Sequence, residues 1–122
     1  MHGVCETHVF RRAAAQAGMT EDEITRLVDF LAENPTAGDE MAGTGGCRKV
    51  RVSGRGKGKS GGYRTITFFT GEALPVFLVT VFSKGERANL SKAECNKLRE
   101  VTKAIVNEYR ASVKMASKVG SE

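Results

Sequence analysis

The spacing of apolar positions divides the chain into helical and extended segments. Ile24, Leu27, Val28 and Leu31 recur at i, i+3, i+4 and i+7, the single stripe of an amphipathic helix. Thr20-x-x-Glu23 opens that helix as a capping box, Met19 and Ile24 are placed as its hydrophobic staple, and Asn34-Pro35 closes it. A second stripe, Leu98, Val101, Ile105 and Tyr109, follows another capping box, Ser91-x-x-Glu94, with Leu90 and Cys95 placed as the staple. Between the two helices the period changes to two. In CRKVRVS (47–53), Arg48, Val50 and Val52 alternate with Lys49 and Arg51, which predicts a strand with one wet face. YRTITFFT (63–70) is β-branched and aromatic throughout, and VFLVTVF (76–82) is apolar on both faces, the pattern of a central strand. Pro75 stands at its start, where a missing donor is tolerated. At the N-terminus, Val4 to Phe10 reads as a short strand passing into a small helix through RRAAAQA, ended by Gly18.

The predicted order is strand, helix, helix, three strands on short turns, helix. Short links between consecutive strands require antiparallel pairing. The expectation is an α+β fold, a small antiparallel β-sheet with helices packed on one side. At 122 residues, with no internal repeat, the chain suits one domain over residues 1–110 and a polar, fraying tail over 111–122.

Charge changes the picture. The net charge is +5 and the pI about 9.3, which favours an anionic partner. From Met41 to Gly71 there is no acidic residue, but there are seven cations: Arg48, Lys49, Arg51, Arg55, Lys57, Lys59 and Arg64. The rest of the chain is slightly acidic, so one segment supplies the whole positive balance. Three cysteines, Cys5, Cys47 and Cys95, are far apart and form no CxxC. They read as small buried hydrophobes in a reducing cytoplasm, with no zinc site or disulfide framework. The two histidines, His2 and His8, give no base for a catalytic cysteine. No secretory signal or bilayer-spanning run is visible, since the longest apolar run, ALPVFLVTVF, is too short. A soluble cytoplasmic protein is expected.

The basic segment contains SGRGKGKSGG (53–62), which ends like a phosphate-binding P-loop and also holds Gly56-x-Gly58-x-x-Gly61. Both motifs must open a helix whose N-terminus cradles phosphate. Here a strand follows, and Ser53 stands where the P-loop needs its first glycine. A cationic glycine-rich hairpin remains, suited to close approach to a phosphate backbone. Arg48 shares strand parity with Val50 and Val52, and Arg64 with Ile66 and Phe68, which suggests two arginines at the end of core-facing rows beside a cleft.

These residues carry a resemblance. GTGGCRKVRVSGRGKGKSGGYRTITFF, then VFLVTVFSKGER and a capped helix, resembles the RelE/ParE superfamily of bacterial toxins, closest to its HigB-like branch. That branch reads GTGG-x-RK-x-R, then KGKGK-x-GG-x-R, then aromatic-x-Lys-x-Glu, and the preceding ENPTAGDEMAGTGG is similar to its lead-in. The likeness spans roughly residues 4 to 109 and is densest from Asn34 to Leu90. It implies a RelE-like fold and a ribosome-dependent mRNA endonuclease. In that reaction the ribose 2′-OH attacks the adjacent phosphate, leaving a cyclic phosphate and a free 5′-OH. It implies a cognate antitoxin of helix-turn-helix type, ribosome and mRNA as targets, operator DNA reached only through the antitoxin, no membrane and no cofactor or metal.

Such chemistry needs a base, an acid and cations for the phosphorane. With no histidine or carboxylate in the basic segment, lysine is the available acid/base, and crowding by like charges lowers a lysine pKa. By the resemblance, Arg64 follows the GG-x step and stabilises the phosphorane, and Lys84 takes the aromatic-x-Lys position. Lys57 and Lys59 are loop lysines serving as base or phosphate clamp. Arg48, Lys49, Arg51, Arg55 and Arg87 would hold mRNA or ribosomal RNA. Two positions depart from RelE itself: Gly85 stands where an arginine is usual, and ANLSK carries no tyrosine. The same cations also suit a same-fold toxin without RNase activity, gyrase-directed as ParE is, or a non-catalytic RNA- or ribosome-binding module.

Overall fold

A computed structural model of the chain describes residues 3–53, 62–71, 74–83 and 90–120, with side chains as far as Tyr109 in the last segment. The N-terminal strand, β1, is only Val4–Glu6, and helix α1 takes over at His8–Ala17. Thr7 decides the change. Its Oγ1 accepts the Phe10 amide at 3.1 Å and donates to the Leu78 carbonyl at 2.8 Å, so one hydroxyl caps the helix and ties it to strand β5 (Val76–Ser83). Phe10, expected at the end of the strand, is instead a fully buried helical residue. Gly18, at φ 80°, ends α1 in the left-handed conformation.

Helix α2 (Glu21–Glu33) starts at the expected capping box. The Glu23 amide donates to Thr20 Oγ1 at 3.1 Å and the Thr20 amide to Glu23 Oε1 at 2.8 Å. A two-residue strand, β2 (Asp39–Glu40), which carries no apolar alternation to announce it, precedes β3 (Cys47–Val52) and β4 (Tyr63–Phe68). Helix α3 (Lys92–Gly120) opens on the second capping box, with Ser91 and Glu94 exchanging bonds of 2.9 and 3.2 Å, and continues well past Tyr109.

The sheet order is β1-β5-β4-β3-β2. The α+β class holds, but two details differ from the sequence expectation. β1 runs parallel to β5, so the sheet is mixed rather than antiparallel. Short links constrain only β3, β4 and β5. β1 reaches β5 across most of the chain and is free to pair in the parallel sense. The helices also cover both faces rather than one. Phe10, Ala14, Ile24, Leu27 and Leu31 of α1 and α2 pack with Val50, Tyr63, Val76, Leu78 and Val81. On the opposite face, Leu98 with Val101, Ile105 and Tyr109 of α3 packs on Cys47, Ile66, Phe68, Phe77, Val79 and Phe82. Tyr109 meets Phe77 edge-on with ring centroids 6.0 Å apart. A strand apolar on both sides needs cover on both sides, and VFLVTVF carried that signal.

One bulge sets the facing of β5. Ile66 pairs with Thr80 but Thr67 pairs with Leu78, leaving Val79 as the extra residue. Past it the parity reverses, so Val81 joins Val76 and Leu78 under α1 and α2 while Phe82 joins Phe77 and Val79 under α3.

Candidate nucleic-acid interface

β4 lies between β3 and β5, and all six of its residues are buried. Its alternation sends Tyr63, Thr65 and Thr67 to the α1/α2 face and Arg64, Ile66 and Phe68 to the α3 face. Arg64 is directly opposite Arg51 on β3 and Phe82 on β5. Lys49 is opposite Ile66, on the same face as Arg51 and one pleat further along β3. The α3 face of the sheet therefore carries a group of three cations: Lys49, Arg51 and Arg64.

The energetics of this group are unusual. Like charges directly opposite on neighbouring strands are destabilising. Arg51 is exposed and keeps its hydration, whereas Arg64 is 8 % exposed and its Nη1 has no hydrogen-bond partner. A buried donor left unmade costs about 1–3 kcal/mol, and more when charged. An anion brought against Arg64 and Arg51 satisfies that donor and removes the repulsion together.

Arg64 is held in place from beneath by its neighbour. Tyr63, 2 % exposed, points to the other face, where its hydroxyl lies 3.3 Å from Glu23 Oε1 and 3.4 Å from the Gly18 carbonyl. The same carboxylate oxygen caps α2, so the start of β4 is bonded to the start of a helix. Burial pushes the Tyr63 phenol pKa up, and the charge and hydrogen bond of Glu23 push it the same way. Sequence reading found Glu23 only as a capping residue and did not single out Tyr63. The signal available was an aromatic flanking the arginine, with a parity that sends it to the opposite face.

Val52 pairs with Tyr63, and Tyr63 with Ser83, so the ends of β3 and β5 and the beginning of β4 are level with one another next to Arg51 and Arg64. A strand, not a helix, follows Gly62, which agrees with the rejection of a nucleotide-binding loop. Of the sequence-selected residues, Arg55, Lys57, Lys59, Lys84 and Arg87 lie outside the described residues. Arg48 is described but is not brought together with Arg64. The register puts it opposite Thr67 on the α1/α2 face, with its Nη2 3.8 Å from Glu40 Oε1. Shared parity with apolar residues was correct within each strand, but the two rows cover opposite faces.

The cysteines are free. Cys47 is buried as expected, and burial, with Cys95 nearby, pushes its thiol pKa up to about 11 against the opposing effect of a hydrogen bond with Thr44. Cys5, expected to be buried, is exposed on the edge strand β1. Among the described residues, no three of His, Cys, Asp or Glu come together as metal ligands, and no helix is long and apolar enough to cross a membrane.

A small α+β protein that groups arginine and lysine on one sheet face beside level strand ends is suited to hold an anionic polymer. Its family is more specific: the chain belongs to the RelE toxin family, whose model, described as RelE toxin of the RelE / RelB toxin-antitoxin system, matches residues 3–121. It is a toxin of a toxin–antitoxin system, and membership implies an antitoxin partner.

Proposed function

We propose that this toxin is a HigB-like, ribosome-dependent mRNA endonuclease of the cytoplasm that is neutralised by its cognate antitoxin. The observation that carries the reading is Arg64, a buried arginine with an unpartnered Nη1, set opposite Arg51. In-line attack by a ribose 2′-OH puts additional negative charge on the phosphorane, and a preorganised, water-poor guanidinium is most effective against such charge. Arg64 then stabilises the phosphorane. Arg51 and Lys49, on the same face of the sheet, hold the phosphates on either side. The 2′-oxygen bonds to phosphorus and the bond to the 5′-oxygen breaks, giving a cyclic phosphate and a 5′-OH. One proton leaves the 2′-OH and one reaches the leaving oxygen, and lysine is the proton carrier available by residue type. Lys57, Lys59 and Lys84 fill that role in the proposal, with Arg55 and Arg87 as further RNA contacts.

The test is expression in cells together with mapping of transcript 5′ ends. The wild-type chain should arrest growth and produce codon-phased cuts. Arg64→Ala should lower cleavage on programmed ribosomes ~100-fold or more, with an unchanged circular dichroism spectrum. Growth arrest without cuts would favour a gyrase-directed toxin. Ribosome binding without single-turnover cleavage would favour a non-catalytic module.

A further inference from the structure

Helix α3 carries a second pair of cations away from the basic segment. Its core stripe, Leu98, Val101, Ile105 and Tyr109, packs on the sheet. Arg99 and Lys103 stand one turn apart on the flank of that stripe, and both are exposed. A groove of about 540 Å³ runs along this flank, lined by Gly45, Thr70, Arg99, Thr102, Lys103 and Asn107, with Phe68 and Val106. No carboxylate lines it. Arg99 has no ion pair among the described residues, and Lys103 has the exposed Glu100 at 3.8 Å. Such an exposed pair is weak, and like charges one turn apart repel. An anion in the groove would relieve that repulsion.

The turn before β3 closes one side of the groove. Thr44 is fully buried and clasps this turn: its Oγ1 donates to the Met41 carbonyl at 2.7 Å and accepts the Cys47 amide at 3.1 Å. Gly43 and Gly45 have φ of 78° and 79°, whereas Thr44 between them has a negative φ. Such alternation turns successive N–H groups to one side, as in an anion-binding nest. The amides of Gly45 and Gly46 donate to no group among the described residues. Gly45 is seated directly on α3, where a Cβ would lie 3.0 Å from Thr102 Oγ1 and 3.4 Å from Arg99 Cγ. The stem of Arg99 therefore runs against the turn. Phe68 pairs with Cys47, four residues along the strands from the Arg51–Arg64 pair, or ~13 Å. Leu98 and its stripe pack on Ile66 and Phe68, so α3 stands between this groove and Arg64. A strand lying against Arg64 cannot pass straight into the groove.

We propose that the Arg99–Lys103 groove is a second phosphate site, which grips the backbone of an RNA segment separate from the strand at Arg64. Arg99 and Lys103 supply the charge, and the Gly45 amide, Thr70 and Asn107 supply donors. An acidic peptide fits less well, because the apolar lining is only Phe68, 3 % exposed, and the half-buried Val106, which leaves no pocket for an anchoring side chain. The assignment rests on the ribosome-dependent nuclease reading and adds a reason for the dependence. Two sites on either side of α3 fill together only where two RNA segments converge, and the second contact then forms at high effective concentration. A short free RNA fills one site alone.

The test uses the full chain carrying Arg64→Ala, to permit production, with and without Arg99→Gln and Lys103→Gln together. Both positions are exposed, so an unchanged circular dichroism spectrum and melting temperature are expected. Sedimentation with ribosomes should show affinity falling ~tenfold or more in the double substitution, with a shallower salt dependence. Anisotropy with a short single-stranded RNA at 0.15 M salt should change less than ~threefold, since charges ~13 Å away are largely screened. Arg99→Lys, which keeps the charge, should retain most of the ribosome affinity. Unchanged ribosome binding overturns the proposal. So does an equal loss for the short RNA, since the two cation groups then act as one surface. Amide shifts of Gly45 and Lys103 that saturate with ATP at micromolar concentration also overturn it, because the occupant is then a free nucleotide. Failure of the wild-type chain to arrest growth or cut RNA would count against the nuclease, while ribosome sedimentation would still decide the groove.

Discussion

Two adjacent residues of β4, Tyr63 and Arg64, serve opposite faces of the sheet. Tyr63 is bonded to the capping carboxylate of α2, and Arg64 is opposite Arg51 with an unpartnered donor. Replacing the phenol should therefore affect stability before chemistry. Tyr63→Phe removes a hydrogen bond to a buried carboxylate and should cost about 1–3 kcal/mol in urea denaturation. The pH dependence has a defined sign. The folded phenol pKa is raised above its ordinary value of 10.0, so its contribution is complete below pH 10 and is lost as pH rises through the folded pKa. The wild type should lose melting temperature above that pH more steeply than Tyr63→Phe does. Parallel curves would show that the Tyr63–Glu23 bond does not set the dependence.

At the scale of elements, α2 and α3 were legible because each carries its own start signal, whereas α1 begins at His8, inside the stretch expected to be strand. Both capping boxes form where Thr20-x-x-Glu23 and Ser91-x-x-Glu94 put them. β3, β4 and β5 were legible because their alternation and composition are local. β2 was not, since two exposed residues, Asp39 and Glu40, acquire strand geometry only by pairing with Lys49 and Arg48. Gly38 makes that pairing feasible. At φ 94°, with the Lys49 carbonyl against its Cα, it admits no side chain. Gly38→Ala should destabilise the protein by at least ~1–3 kcal/mol, the cost of a strained backbone conformation. A denaturation midpoint equal to that of the wild type would mean the β2–β3 edge does not contribute to the fold.

For the whole molecule, the uneven charge should appear in its salt dependence. Single-stranded RNA binding loses about 0.7 in log K per decade of salt for each neutralised phosphate. Engagement of Lys49, Arg51 and Arg64 alone gives a slope near −2, and engagement of all seven cations of the basic segment gives about −5. Anisotropy titrations of a short RNA across a salt series measure this directly, and a slope near zero would remove electrostatics from the interaction. The same segment was prominent in the sequence because acids are absent over a long stretch. Its division between two faces was not legible, because the facing of Arg48 relative to Arg64 depends on the register between two strands rather than on either strand.

By itself the sequence determined the starts of α2 and α3, the three long strands, the rejection of a nucleotide loop and the resemblance to RelE-type toxins that family membership bears out. These rest on short-range periods, caps and turns, which are encoded within a few residues of where they act. Tertiary structure alone decided the parallel placement of β1, which helices cover which face of the sheet, the bulge at Val79 and the meeting of Arg51 with Arg64. Each of these is a choice of partner between segments distant in the chain, and the free energy that makes the choice exists only when the segments pack. Arg64 was singled out from sequence, through the resemblance, as the cation that stabilises the phosphorane. Only the folded sheet buries it, leaves its Nη1 without a partner and sets a second arginine opposite it.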